Sequence, residues 1–296
     1  MGAQLTNIHG YYEYREQNNA DSKEQVFGLA TKVLDPMLEK GLPENVSHIL
    51  VVTTCPDQLS PSLAQMLKEH YSNELSECLS LDIVQGCAGG VSAMILASQL
   101  AENNNSSVLV VKADAAKKAT SKKGSFHKIF GNGSFTCLVQ NNGQSHRLIH
   151  SKSTQYKGLH DVVKVYLGHD ADERILSASN EIFSDPRKYL GLSLHRGQAL
   201  KLFSKAESFY KSFVAESESP EIMILHQVNP IIMKHLEVVF AKYNVKFINL
   251  SSTIGNCGAA SVGVALDLIK DQIEGKKVML CSFGTGGVIT AGLWQC

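Results

Sequence analysis

Three residues of this chain have the types and surroundings for acyl-transfer chemistry. Cys87 stands in Gln85-Gly86-Cys87-Ala88-Gly89-Gly90, after the short apolar run 81–84 and at the head of a helical pattern reaching to about residue 102. Backbone N–H groups at a helix N-terminus lack intrahelical partners, and the helix dipole is positive there. Both effects favour a thiolate, which is a strong nucleophile towards thioesters. A depressed Cys87 pKa is therefore the expectation, although a buried cysteine in a tight turn would read the same way locally. His226 closes the apolar run 222–225 and precedes Gln227-Val228-Asn229-Pro230. The carboxyl end of a strand is where open α/β sheets bind ligands. Asn256 lies in Gly255-Asn256-Cys257-Gly258, ahead of a second helix rich in small residues. A histidine and an asparagine there are each ordinary structural residues when read singly; the three together suggest a nucleophile with two fixed polar partners.

These residues must be positioned by the elements around them. The run 46–54 is rich in β-branched residues and reads as a buried strand, 61–71 has helical spacing, and 81–84 is another short strand. The helix from Cys87 is apolar nearly all round, so it should be buried, and 108–111 is again a strand. The second half repeats the order, with strands at 222–225, 245–250 and 277–281 and helices at 230–243 and from Cys257 to Gly275. The stretch from Cys87 aligns without a gap over that from Cys257, Val108 falling over Val278. Asn256 then corresponds to Gly86, and the symmetry brings the two helix N-termini together beside His226. The expectation is an α/β chain of two duplicated halves, 1–143 with the nucleophile and 144–296 with the histidine and asparagine.

The bulk properties narrow the function classes. The chain has 296 residues, 44% hydrophobic and 19% charged, with a formal net charge of zero. That composition suits a globular protein with a large interior and gives no footprint for nucleic acid. No apolar run approaches the roughly 20 residues that span a bilayer, and the first residues lack a signal peptide's pattern, so a cytoplasmic, non-membrane protein is expected. Seven cysteines, odd in number and without a CxxC, argue against a disulfide framework or a metal site. The segments Phe130-Gly131-Asn132-Gly133 and Phe283-Gly284-Thr285-Gly286-Gly287 lack the lysine or the spacing of nucleotide loops and read instead as places of close backbone approach to a ligand.

The stretches LDIVQGCAGGVSA, IFGNGSFTCLV, ILHQVNP, IGNCGAASVGVAL and MLCSFGTGGVITAGLW, in this order, resemble β-ketoacyl-acyl carrier protein synthase III and related thiolase-superfamily condensing enzymes over nearly the whole chain. The resemblance implies a thiolase-like fold in αβαβα layers. It implies that Cys87 takes an acyl group, that His226 and Asn256 hold the thioester carbonyl of a decarboxylating extender, and that the N–H groups of Cys87 and Thr285 form the oxyanion hole. No cofactor is implied; an acyl-coenzyme A or acyl carrier protein thioester is the substrate. The family's Trp-containing N-terminal segment and its Asp-Arg-Gly contact to coenzyme A are missing, FGDG is FGNG, and Thr285 replaces the usual glycine. These departures point to a specialised, secondary-metabolite or fatty-acid-related ketosynthase. The alternatives are a non-catalytic or weakly catalytic partner subunit, and C–O or C–N bond formation from the same acyl-enzyme.

Three further expectations follow from the resemblance. The chain should form a homodimer, or a heterodimer with a homologous subunit, through the segment 81–100. Ser60, where relatives often carry Phe, should widen an acyl pocket across that dimer. Lys112, Lys117, Lys118, Lys122, Lys123 and Lys128 form a local excess of positive charge; Lys122 and Lys123 are its candidates for docking a carrier protein or a phosphopantetheine phosphate, with a plain solvated loop as the other reading.

Overall fold

The structure, a computed structural model, describes residues 2–13, 25–116, 128–143, 147–167 and 190–296. The first half runs β1 (Gly2–Glu13), α1 (Val26–Leu38), β2 (Val46–Val52), α2 (Leu63–His70), α3 (Ser72–Leu75), β3 (Leu79–Ile83), α4 (Gly89–Asn104), β4 (Ser107–Asp114) and β5 (Asn132–Gly143). The second runs β6 (Arg147–Gln155), β7 (Val163–Leu167), β8 (Leu190–Leu194), α5 (Arg196–Ser204), α6 (Ala206–Glu216), β9 (Ile222–Leu225), α7 (Pro230–Phe240) and β10 (Lys246–Ile248). It closes with α8 (Ser251–Ile254), α9 (Ser261–Leu268), β11 (Lys277–Gly284) and β12 (Val288–Gln295).

Local chemistry sets many of these boundaries. Ser62 and Gln65 form a reciprocal capping box at the start of α2. Asn229 caps α7 by accepting from the Ile232 N–H, and Pro230 occupies its first turn, where no donor is lost. Asn105, in the left-handed conformation that asparagine tolerates, stops α4. β4 is buried along its whole length, as the apolar run 108–111 requires of a central strand, and its burial takes in Lys112 and Asp114 as well.

The strands β3-β2-β4-β5-β1 and β10-β9-β11-β12-β6 repeat one order, and the two sets join through a single pairing of Gln4 in β1 with Arg147 in β6. In each set the first three strands are parallel and the last two antiparallel. This is the duplication read from the two helix–strand units. α4 and α9 lie between the sheets, packed on Val52, Val110 and Phe135 from one side and Ile224, Leu280 and Trp294 from the other. α1 and α2 cover the far face of the first set, and α5, α6 and α7 that of the second. The result is the αβαβα layering of a thiolase-like fold.

Some boundaries differ from the sequence reading. The helix expected to run from Cys257 to Gly275 is a short 3-10 turn, Gly258–Ala260, then α9, then a further turn at Lys270–Gln272. Ile269 and Ile273 still pack into the central core there, but the backbone leaves the α-helix after Leu268. β1, β12, α5 and α6 have no counterpart in the expected element list. No helix among the described residues is long and apolar enough to cross a membrane.

Candidate active site

Cys87 sits in the 3-10 turn Gly86–Ala88 that leads into α4. Ser282 of β11 donates to the Cys87 carbonyl at 2.8 Å, so the second half grips the nucleophile's own backbone. Thr285, just past β11, donates to the Gln85 carbonyl at 3.3 Å and packs its side chain on the Gly86 turn. Gly284 lies against the Ala88 N–H, where a Cβ would come within 2.8 Å. The loop after β11 is thus seated directly on the head of α4.

His226 follows β9 and keeps register with its neighbour by donating its N–H to Cys281 at 2.9 Å. Gln227 turns inward and ties the strands: its Nε2 donates to Leu225 and Ile248, and its Oε1 accepts from Leu250 N–H at 2.7 Å. In the His-Gln-x-Asn string, therefore, the glutamine is a strand tie and the asparagine a helix cap, leaving the histidine facing the cavity. Asn256 is held from both sides. Its N–H donates to Ile129 at 2.8 Å and its carbonyl accepts from Gly131 at 3.0 Å, forming a parallel bridge with Phe130. Its side-chain Oδ1 accepts from the Gly258 N–H at 3.0 Å. The amide's Nδ2 donors are the ones left for a ligand.

Cys87, His226, Asn256 and Thr285 all line one cavity. Its remaining walls are mainly apolar, from Val163 and Val165 of β7, Leu192 and Leu194 of β8, and Leu202 and Phe203 of α5. The hairpin β7–β8 and α5 were not expected to contribute; only their apolar alternation in a polar stretch signals the role. The Phe130–Gly133 segment approaches the Asn256 turn rather than a ligand's backbone, although Phe130 itself lines the cavity.

The electrostatics reverse one expectation. The Cys87 thiol is pushed up to about 12, first by burial and then by the negative charge of Asp114. Desolvation and a nearby like charge outweigh the helix terminus. His226, 2% exposed, is pushed down to about 4 by burial, so its ring is neutral at physiological pH. Its Nδ1 has no hydrogen-bond partner among the described residues. Asp114 carried no role in the sequence reading. Its place at the end of a wholly buried strand was the signal that it has a fixed internal role.

Other candidates lie elsewhere. Ser60 is exposed and does not line the cavity of its own chain. Lys122 and Lys123, with Lys117 and Lys118, lie outside the described residues. Lys112 does not belong to a surface patch: it is fully buried, its Nζ 2.9 Å from the Met94 sulfur and 4.5 Å from the Phe135 ring centroid. As an inward-facing position of β4, its direction is fixed by strand alternation. Lys128 is exposed. No cluster of three or more metal-ligating side chains occurs among the described residues.

Residues 81–156 match the sequence model described as 3-oxoacyl-[acyl-carrier-protein] synthase III, and residues 215–296 match the one described as its C-terminal part. The two matches together cover just over half of the chain, in the order of the two halves. β-Ketoacyl-[acyl-carrier-protein] synthase III of Streptococcus thermophilus is 26% identical over 94% of this chain and 86% of its own length. The protein of that name from Caldanaerobacter subterraneus is 28% identical over 92% and 83%. Among solved structures, a 3-oxoacyl-(acyl-carrier-protein) synthase III superposes with a TM-score of 0.81 at 18% identity, covering all of both chains. OleA from Xanthomonas campestris superposes at 0.77 and 14%, covering 100% of this chain and 98% of its own. These likenesses, with the duplicated sheets and the cysteine at the head of a buried central helix, place the chain in the thiolase superfamily, among the acyltransferases of the 3-oxoacyl-[acyl-carrier-protein] synthase III-like condensing enzymes.

Proposed function

We propose that the chain loads an acyl group on Cys87 and condenses it with a second substrate held by His226 and Asn256. The observation that supports this is the convergence of Cys87, His226, Asn256 and Thr285 on one largely apolar cavity. In the first half-reaction the Cys87 sulfur attacks the thioester carbonyl; the S–H bond and the donor's C–S bond break, an acyl–sulfur bond forms, and the donor leaves as a free thiol. A thiol near 12 needs a base for this step, and the neutral His226 ring is the titratable group on the cavity wall suited to take the proton and return it to the leaving sulfur. In the second half-reaction the extender loses carbon dioxide, the enolate so formed attacks the acyl carbon, and the Cys87 sulfur departs. Asn256 Nδ2 and a His226 ring N–H donate to the enolate oxygen, and the N–H groups of Cys87 and Thr285 face the tetrahedral oxyanion.

The donor is an acyl thioester on coenzyme A or a carrier protein, and no cofactor enters the scheme. The carrier protein is favoured because the curated relatives are named for it and because 117–128 is rich in lysine; Lys122 and Lys123 are the residues proposed to meet it. The departures around Lys123, Asn132 and Thr285 favour a specialised product over the ordinary priming reaction.

Intact-mass measurement after incubation with acyl thioesters tests the scheme. The wild type gains one acyl mass, and Cys87→Ala gains none while keeping its fold. Asn256→Ala loads normally and loses condensation by about 100-fold, whereas His226→Ala loses both half-reactions. Normal loading of Cys87→Ala would overturn the proposal, and a wild type that never loads would favour the reading as a non-catalytic partner subunit.

A further inference from the structure

The Asp114 carboxylate lies at the end of β4, fully buried, and reaches across to the second half. Its Oδ1 accepts from the Thr54 N–H at 2.5 Å, the Thr54 hydroxyl at 2.7 Å, the Thr53 hydroxyl at 3.2 Å and the Cys55 thiol at 3.7 Å. Its Oδ2 accepts from the Ala259 N–H at 2.6 Å. A backbone N–H, which can only donate, thus faces each oxygen, so the ionised form is the one these surroundings satisfy. Burial pushes the carboxyl up from its ordinary range, and the hydrogen bonds from Thr54, Ala259 and Thr53 oppose that shift.

The duplication gives this contact its meaning. The offset that lays Cys257 over Cys87 lays Gly284 over Asp114. At the first central helix, the Gly284 backbone packs against Ala88 with no side chain between them. At the second, the Asp114 carboxylate occupies the equivalent ground: a Cβ on Gly258 would lie 2.1 Å from its Oδ2, so only glycine fits under it. One helix head is open towards the cavity, and the other is filled by a side chain of the protein itself. Gly258 and Ala259 are also the residues whose backbone carries the Asn256 turn, since Gly258 N–H is the donor that fixes the Asn256 amide.

We propose that Asp114 is a positioning residue for the condensation step: its carboxylate clamps the Asn256 turn of the second half to the end of β2 in the first, and sets a fixed negative charge behind Cys87. This rests on the reading of Asn256 and Cys87 given above. Burial first, and the Asp114 charge in addition, hold Cys87 as a thiol. The charged group acting on the Cys87 thiol is Asp114 from β4, whose ionised form the hydrogen bonds from Thr54, Ala259 and Thr53 favour against the opposing effect of burial; His226 after β9 and Cys55 after β2 line the same cavity.

The experiment is a comparison of wild type, Asp114→Asn and Thr53→Val. The first readout, which needs no natural substrate, is the pH profile of Cys87 alkylation by iodoacetamide. In Asp114→Asn the midpoint falls by about half a unit or more, because a like charge is removed; in Thr53→Val, which keeps the charge, it stays within that interval. The second readout separates the half-reactions. Asp114→Asn loses at least about 10-fold in condensation with self-acylation no slower than wild type, and Thr53→Val loses less. An unchanged or raised alkylation midpoint in Asp114→Asn, or equal loss of both half-reactions, overturns the proposal. If Asp114→Asn does not fold, Thr53→Val decides the clamp: condensation within twofold of wild type overturns it, and a selective loss supports it. A wild type with no acyl loading but a shifted alkylation profile in Asp114→Asn would sink the condensing reading and leave the charge effect standing.

Discussion

Lys112 is the residue whose chemistry departs furthest from its surroundings. Its ammonium is buried between the Met94 sulfur and the face of Phe135. Burial pushes its pKa down to about 8 from 10.5. Between those two values the unfolded chain binds more protons than the folded one, so folding stability rises with pH across that window. Below pH 8 the folded protein carries the whole penalty, on the order of 3 kcal/mol. Lys112→Met replaces the ammonium with a group of similar length suited to this pocket. The expected outcome is a gain of about 2 kcal/mol at pH 7 and loss of the rise between pH 8 and 10.5, read by urea unfolding at several pH values. A variant less stable than wild type at pH 7 would show that the lysine's stem packing outweighs its charge. His226 has the same sign at lower pH: protonation is disfavoured in the folded state, so stability falls as pH drops from 6.5 towards 4.

At the scale of elements, the heads of the two central helices meet at Gly90. A Cβ there would stand 2.1 Å from the Ala259 carbonyl oxygen, a backbone atom that cannot turn aside. Gly90→Ala should therefore push α4 and the 3-10 turn before α9 apart. The expected loss is about 3 kcal/mol of stability, with acyl loading falling as the Cys87 turn shifts, measured by denaturant midpoint and intact mass on the same sample. The close approach of these helices was legible in the sequence, because both begin with a run of small residues and align without a gap. Strands β2, β4, β9 and β11 were legible too, since a short run of buried β-branched residues has few other readings. β1 was not. Its sequence, GAQLTNIHGYYE, alternates weakly, and it is a strand because β5 pairs along most of its length. α5 and α6 combine modest apolar faces with many charged residues, and their burial comes from Phe213 and Leu202 packing on a sheet assembled from distant strands. Cys87, His226 and Asn256 could be named from their joint pattern and the duplication, but Asp114 could not, because its partners are 60 and 145 residues away in sequence.

On the scale of the whole molecule, β3 is an edge strand, and it is not blunted. Leu79 and Leu81 are 55% and 43% exposed along it, and Val84, just past its end, is 90% exposed. An edge of this kind pairs with another chain or aggregates. We propose that it is the dimer interface, with a second copy or a homologous subunit extending the sheet, and that Ser60 from the adjoining loop faces the neighbour's acyl pocket. Sedimentation should show a dimer at micromolar concentration and Leu81→Lys should shift it towards monomer; a monomeric wild type overturns this. If Ser60 does widen that pocket, octanoyl thioesters load at least as fast as acetyl ones.

Among the described residues, the two strand sets pair along their edges only at Gln4 and Arg147, yet α4 and α9 are enclosed by both. The chain is therefore nearly divisible in its ladders and indivisible in its middle layer. Expressed as two polypeptides, 1–143 and 144–296, it should behave as a complementing pair. Each fragment alone would present one apolar helix, with half of its cover missing, to water. Together they would bury the same interior and recover the cavity, because among the described residues backbone pairing between the halves is limited to Gln4 with Arg147 and the bridge of Phe130 with Asn256. Fragments that stay folded and monomeric when separated would show that the halves are autonomous domains after all.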